Sequence, residues 1–202
     1  MLAPVASAGR ESDRELPNLV LRARSGDKRA LRQIYDRYSA PIHRFLLGLT
    51  KSVPAAHDAT QETFARAFIR LDSLSDPELL SAWLFGIARR VALESWKAAR
   101  RGPPCVAGEF EGECSQGDTR DRSTPESILL GREAASIVDR AMSRLSEDRR
   151  TVLLLRVDHG LGYEAIAEIM EWSLSKAKVE VHRARLELRA EMATYEQNEG
   201  VR

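Results

Sequence analysis

Ser175, Lys176, Lys178, His182 and Arg183 gather around Val179 at the start of a segment that continues with helical spacing. On a helical wheel Ala177, Val181, Ala184 and Leu188 line one side, at spacings of four, three and four, and the basic residues project from the other. Side chains of these types neutralise phosphates and hydrogen-bond to base edges; they do not form a nucleophile and base. A second set, Asp58, Gln61 and Glu62, forms an exposed acidic and polar ridge on another apolar-periodic segment. Carboxylates at such spacing could exchange protons as acid and base. No nucleophile or glycine-rich phosphate loop accompanies them, so a docking ridge or plain solvated surface remains. A third set interleaves Trp83 and Trp96 with Arg89, Arg90 and Lys97, just after the loop Asp72 to Glu78. Aromatics among cations suit single-stranded nucleic acid, which stacks its bases and needs its phosphates neutralised, although helical spacing also suits tryptophans packed in a core.

Helices must carry all three sets. Abundant Leu, Ala, Arg and Glu, with only 6% aromatics, favour helix over strand. Helical pattern begins near Leu16, and Asp27 precedes a long segment with Leu31, Ile34, Tyr35, Tyr38, Ile42, Phe45, Leu46 and Leu49 on one face. Pro41 is expected to kink or split it. The ridge lies on the next helix, whose inner face is Ala56, Ala59, Thr60, Thr63, Phe64, Ala67, Phe68 and Leu71. The third helix holds Trp83, Leu84, Ile87, Ala88, Val91 and Trp96 and ends in Lys97, Arg100 and Arg101. Residues 102–127 are rich in Gly, Pro, Ser and acids, a composition unable to bury a core and suited to a flexible linker.

Helical pattern resumes at Ile128 with Ala135, Val138, Met142 and Leu145, and Ser146 is placed to cap a helix through Val157. Gly160 and Gly162 end it, Tyr163 to Met170 make two turns of helix, and a tight turn at Trp172 and Ser173 leads into the basic helix. This is helix-turn-helix punctuation, and it favours nucleic-acid contact over a merely solvated basic face. The expected architecture is all-α, with two small helical domains at 16–101 and 128–192. Disordered tails are expected at 1–15 and 193–202.

Net charge is only +1, but it is segregated: residues 1–100 hold 16 basic and 11 acidic side chains, and 101–130 hold 3 and 6. Bulk charge therefore does not argue for nucleic-acid binding, and the local patches must. Cys105 and Cys114 cannot make a zinc site alone and read as free thiols in the linker, with redox or metal sensing as the alternative. The four histidines, at 43, 57, 159 and 182, lack metal-ligand spacing, so no metal or cofactor is implied. No leader pattern or membrane-length apolar run occurs, which makes a reducing cytoplasm the default, with no direct membrane insertion.

Three stretches, "AHDATQETFARAFIRLDSL", "AWLFGIARRVALESW" and "LSEDRRTVLLLRVDHGLGYEAIAEIMEWSLSKAKVEVHRARLELR", together resemble bacterial RNA polymerase sigma factors of the extracytoplasmic-function group. Two different motifs stand in that family's order, with a linker between them. The resemblance implies a non-enzymatic initiation factor without a small-molecule substrate. Its partners would be core RNA polymerase, through the clamp helices and flap of the large subunits, promoter DNA, and an anti-sigma factor. It implies polymerase docking by Asp58, Gln61 and Glu62. Opening of the −10 element would fall to Arg66, Arg70, Asp72, Ser73, Leu74, Trp83, Arg89, Arg90 and Lys97, and reading of the −35 element to Ser175, Lys176, Lys178, Val179, His182 and Arg183. His57 stands where the family usually has an acid, and Ser175 and Lys176 replace its usual Gly-Thr. Two other readings compete: a stand-alone helix-turn-helix regulator, which leaves the ridge unexplained, and a helical adaptor whose basic faces serve solvation alone.

Overall fold

The computed structural model describes residues 15–101 and 136–199, which fall into two compact units, one on each side of Val106. The expected linker with its two cysteines, the pattern at 128–135, nearly all of the expected N-terminal tail and the last three residues, 200–202, lie outside the described residues. Among the described residues there is no strand.

The first unit starts with α1 (Leu16–Arg24), which has a proline in its first turn, where no N–H is needed. Gly26, at φ +84°, turns the chain into α2 (Lys28–Thr50). Asp27 caps α2 by accepting from the amides of Arg29 at 2.8 Å and Ala30 at 3.4 Å. Its other carboxylate oxygen receives Arg22 of α1 at 2.5 Å, so one side chain starts a helix and ties it to its neighbour. The Arg22 hydrogen bond, followed by the Arg29 amide, holds the Asp27 carboxyl below the usual carboxylate range.

α2 runs unbroken through Pro41, where a split was one expectation. Proline removes the hydrogen bond to the carbonyl four residues back, a loss of about 3 kcal/mol in an unsupported helix. Here Ile34, Tyr38, Ile42, Phe45 and Leu46 are buried on both sides of it, and their packing holds the helix together. Lys51 closes α2 in the left-handed region at φ 56°, and Ser52 caps α3 (Val53–Ile69). The buried face of α3 is mostly small: Ala56, Ala59, Thr60, Thr63 and Ala67 beside Phe64. The two threonine hydroxyls donate to Ala56 O and Ala59 O, at 2.7 and 2.6 Å, so neither is buried without a partner. Tyr35 is exposed rather than inward, with its ring 4.8 Å from that of Phe64.

Two 3-10 turns, Leu71–Ser73 and Pro77–Leu79, lead into α4 (Leu80–Arg101). The buried face of α4 is Leu80, Leu84, Phe85, Ile87, Ala88, Val91 and Ala92, and Phe85 meets Phe45 edge-on at 5.3 Å. Trp83 and Trp96 are half-buried beside that face rather than in it.

In the second unit, helix α5 is described over 136–144, with Ala141, Met142 and Leu145 buried and Val138 exposed. Ser146 caps α6 (Glu147–Leu153) by accepting from the Arg149 amide, with Glu147 and Asp148 in the first turn. The Arg150 side chain donates back to the carbonyls of Met142 at 2.9 Å and Ser143 at 2.8 Å, satisfying acceptors that the end of α5 leaves open. A π-helical turn, Leu154–Asp158, follows. Gly160, at φ +67°, then leads to α7 (Tyr163–Met170). Glu171 ends α7 in the left-handed region, and the Ser173 hydroxyl accepts from the Lys176 amide at 3.3 Å to start α8 (Leu174–Glu199). α8 packs against both α6 and α7, with Ala177, Val181 and Ala184 fully or almost fully buried. It continues to Glu199, where a tail from 193 was expected.

Replacing Asp27 with Ala should lower the melting temperature at neutral pH. The folded carboxyl titrates below its unfolded value of about 3.9. Its contribution is therefore complete above that value and is lost as the pH falls through the folded one. The gap between wild type and variant, followed by circular dichroism, should shrink below about pH 4; a gap independent of pH would remove this role from the carboxylate.

Candidate nucleic-acid interface

On α8, Ser175, Lys176, Lys178, Val179, His182 and Arg183 are all exposed, opposite the buried Ala177, Val181 and Ala184. The sequence placed both faces. Burial of the small apolar side turns every basic residue of the first three turns outward. The Lys176 ammonium lies 4.2 Å from the centre of the Trp172 ring, which positions the charge at the mouth of the turn. Val179 is an apolar point among cations, able to meet a thymine methyl group. Arg183 donates through Nη1 to Glu180 at 2.9 Å, and Glu180 also accepts from Arg149 of α6 at 3.4 Å. Arg149 is bonded to Glu187 as well, and these two carboxylates, Glu187 first, raise its affinity for its proton further. Neither Glu180 nor Arg149 carries a sequence signal for this role, because the contact joins residues 31 apart.

In the first unit, Asp58 and Gln61 are exposed on the outer face of α3, flanking His57. The His57 ring lies 3.8 Å from the Asp58 carboxylate and 3.5 Å from the Gln61 amide nitrogen. Glu62 shares their face but is engaged: it accepts from Arg66 at 2.6 Å. Arg66 also reaches Glu94 of α4 at 2.6 Å, and its side chain is only 33% exposed. The hydrogen bonds from Glu94 and then Glu62 raise the Arg66 pKa. Arg66 is therefore a strut between α3 and α4, and a phosphate would have to displace a carboxylate to reach it.

The loop after α3 is anchored from a distance. Arg24 of α1 donates to the carbonyl of Leu71 at 3.2 Å and to that of Leu74. Leu74, named with the strand-opening residues, is 3% exposed and forms the floor of the loop. Arg70, Asp72 and Ser73 stand exposed above it, and Asp76 caps the second turn by accepting from Glu78 N at 2.9 Å. Trp83 and Arg89 are half-buried, and Arg90 and Lys97 exposed. Ile69 is 83% exposed between Arg66 and Arg70 and was not singled out, although its position off the inner face of α3 was readable. Among the described residues no cluster of His, Cys, Asp or Glu could hold a metal ion, and no helix is long and apolar enough to cross a membrane.

A helix-turn-helix with a basic outer face in one unit, and a unit of four packed helices with a polar ridge and a cation-flanked loop in the other, define a nucleic-acid-binding factor of two helical domains. Residues 34–102 match the family described as Sigma-70 region 2, and residues 135–188 that described as Sigma-70, region 4. The chain is 34% identical over 172 residues to the ECF RNA polymerase sigma-E factors of Salmonella typhimurium and of Escherichia coli strain K12, covering 83% of this chain and 88% of each relative. It is 32% identical over 171 residues to the RNA polymerase sigma-H factor of Pseudomonas aeruginosa, with the same coverage. The chain belongs to the extracytoplasmic-function sigma factors. As a member, it works with core RNA polymerase and directs transcription initiation at specific promoters.

Two solved structures share the fold. One is CnrH in complex with the cytosolic domain of CnrY, at TM-score 0.62 and 21% identity, covering 87% of this chain and 96% of the other. The other is the sigma factor RpoE in complex with the anti-sigma factor NepR from Bartonella quintana, at TM-score 0.63 and 23% identity, covering 80% and 96%.

If Arg66 is a strut, Arg66→Met should lower the melting temperature of the protein by several degrees. Arg70→Ala, which removes an exposed arginine four residues on, should leave it unchanged. Calorimetry of the two variants compares them directly, and equal melting temperatures would deny Arg66 its bridging role.

Proposed function

We propose that the two units divide the work of initiation, with the domains taken as 16–101 and 128–192. Asp58 and Gln61, with the outer edge of Glu62, dock core polymerase. Arg70 and the Asp72–Ser73 segment, with Trp83, Arg89, Arg90 and Lys97, hold the opened −10 strand. Lys176, Lys178, Val179, His182 and Arg183, with Ser175 at the helix start, read the −35 duplex. The observation that carries this division is the two-sidedness of α8: alanine and valine inward, cations outward, on the second helix of a helix-turn-helix. The chain performs no covalent chemistry and acts in the cytoplasm. Control falls to an anti-sigma partner, a reading supported by the two similar folds, each solved with a bound partner chain and one of these partners titled an anti-sigma factor.

On the DNA face the cations differ in kind. Arg183 can pair two donors with one guanine edge, and Lys178 is a point charge suited to phosphate. Binding of the reconstituted holoenzyme to promoter fragments, titrated with salt, separates them. Lys178→Ala should weaken binding to all sequences and reduce the salt slope by about 0.9. Arg183→Ala should cost roughly 1–3 kcal/mol and relax preference at one position. Undiminished strength and selectivity in both variants would return this face to solvent.

Docking is tested separately. Asp58→Ala with Gln61→Ala should weaken association with core polymerase while helix content stays intact, since both side chains are exposed. Unchanged affinity in a direct binding assay would exclude the ridge.

A further inference from the structure

The Arg149–Glu180–Arg183 chain crosses from the interior side of α8 to its DNA-facing side, and nothing in the readings above uses its middle member. Glu180 lies almost a full turn before Arg183, and its side chain is only 18% exposed, against 60% for Arg183. It is too recessed to compete for a base edge, yet its two oxygens hold different partners: Oε1 takes Arg183 Nη1 at 2.9 Å and Oε2 takes Arg149 Nε at 3.4 Å. Arg149 is held in turn by Glu187, about two helical turns along the same face of α8. A carboxylate gripped on one side by a second helix is not a freely rotating surface acid, and whatever it binds on its other side inherits its position.

We propose that Glu180 is a positioning residue for base recognition: anchored by Arg149, it fixes the Arg183 guanidinium in the orientation from which it reads the −35 duplex. The proposal rests on Arg183 being a base contact. A guanidinium carries five N–H donors in a fixed planar fork, and the Glu180 contact uses only Nη1, so a donor pair remains for guanine O6 and N7. An unrestrained arginine samples many rotamers and binds any phosphate within reach. Glu180 removes that freedom before DNA arrives, and its negative charge opposes phosphate at the same point, so Arg183 loses generic affinity and keeps directional affinity.

The test uses full-length protein assembled with core polymerase, binding a pool of promoter fragments randomised through the −35 element, with unrelated duplex as a second probe. Arg183→Ala should abolish preference at one position. Glu180→Gln, which keeps the shape and removes the charge, should reduce preference at that same position about fivefold, the scale of coupling within one ion-pair network. It should also strengthen binding to unrelated duplex. Combined with Arg183→Ala, Glu180→Gln should change base preference no further. Arg149→Gln, on α6, should lower preference at that position too, and it carries the test if Glu180→Gln melts early. If Arg183→Ala loses the preference while the folded Glu180 and Arg149 variants keep it, or weaken every sequence alike, the positioning role is overturned and Arg183 stands as a reader. If Arg183→Ala leaves preference intact, both fall.

Discussion

Burial of three small side chains, Ala177, Val181 and Ala184, is the constraint on which the second unit depends. A helix with so narrow an apolar side has one way to bury it, against α6 and α7 together. The hydrophobic gain from that stripe therefore sets the rotation of α8 about its own axis. Once rotation is set, the outward direction of Lys176, Lys178, Val179, His182 and Arg183 follows without any interaction of their own. The turn before the helix completes the arrangement. Glu171 takes the left-handed conformation, Ser173 caps, and Trp172 offers its ring to Lys176. The outward direction of these side chains is thus a by-product of core packing, refined by a few polar contacts that decide how each cation is presented.

The first unit uses a different device. Apart from Phe64, its core face on α3 is made of alanines and threonines, so most of the large buried side chains come from α2 and α4, among them Ile34, Ile42, Phe45, Leu46, Leu80 and Leu84. Carboxylate–guanidinium contacts supplement this core at the rim: Arg22 to Asp27 joins α1 to the start of α2, and Arg66, held by Glu62 of its own helix, reaches Glu94 to join α3 to α4. Individually such exposed pairs contribute little. Arg66 makes two of them at once, which is why its loss is expected to show in the melting temperature.

The helices, their buried faces and the helix-turn-helix were legible because period and punctuation are local: Asp27 and Ser146 cap where the pattern starts, and Gly160 and Gly162 stand where it stops. The passage of α2 through Pro41 was not, since it depends on packing against other helices. The partners of Arg66, Arg149 and Arg24 were also beyond reach, because each joins residues 28 to 50 positions apart and nothing in periodicity pairs a given arginine with a given acceptor. The ridge at Asp58, Gln61 and Glu62 was visible as an outer face. That Glu62 would be half committed to Arg66 required the fold.

The Arg24 anchor separates what shapes the loop from what the loop displays. Arg24 binds the loop through the main-chain carbonyls of Leu71 and Leu74, groups that every amino acid supplies. The side chains of Leu71 and Leu74 face the core, whereas those of Asp72 and Ser73 between them face out. Shape and content of the loop are therefore encoded by different atoms. The outward letters can be rewritten while the inward leucines and a distant arginine keep the frame, so that the exposed face of the loop can vary by substitution at the surface of an unchanged scaffold.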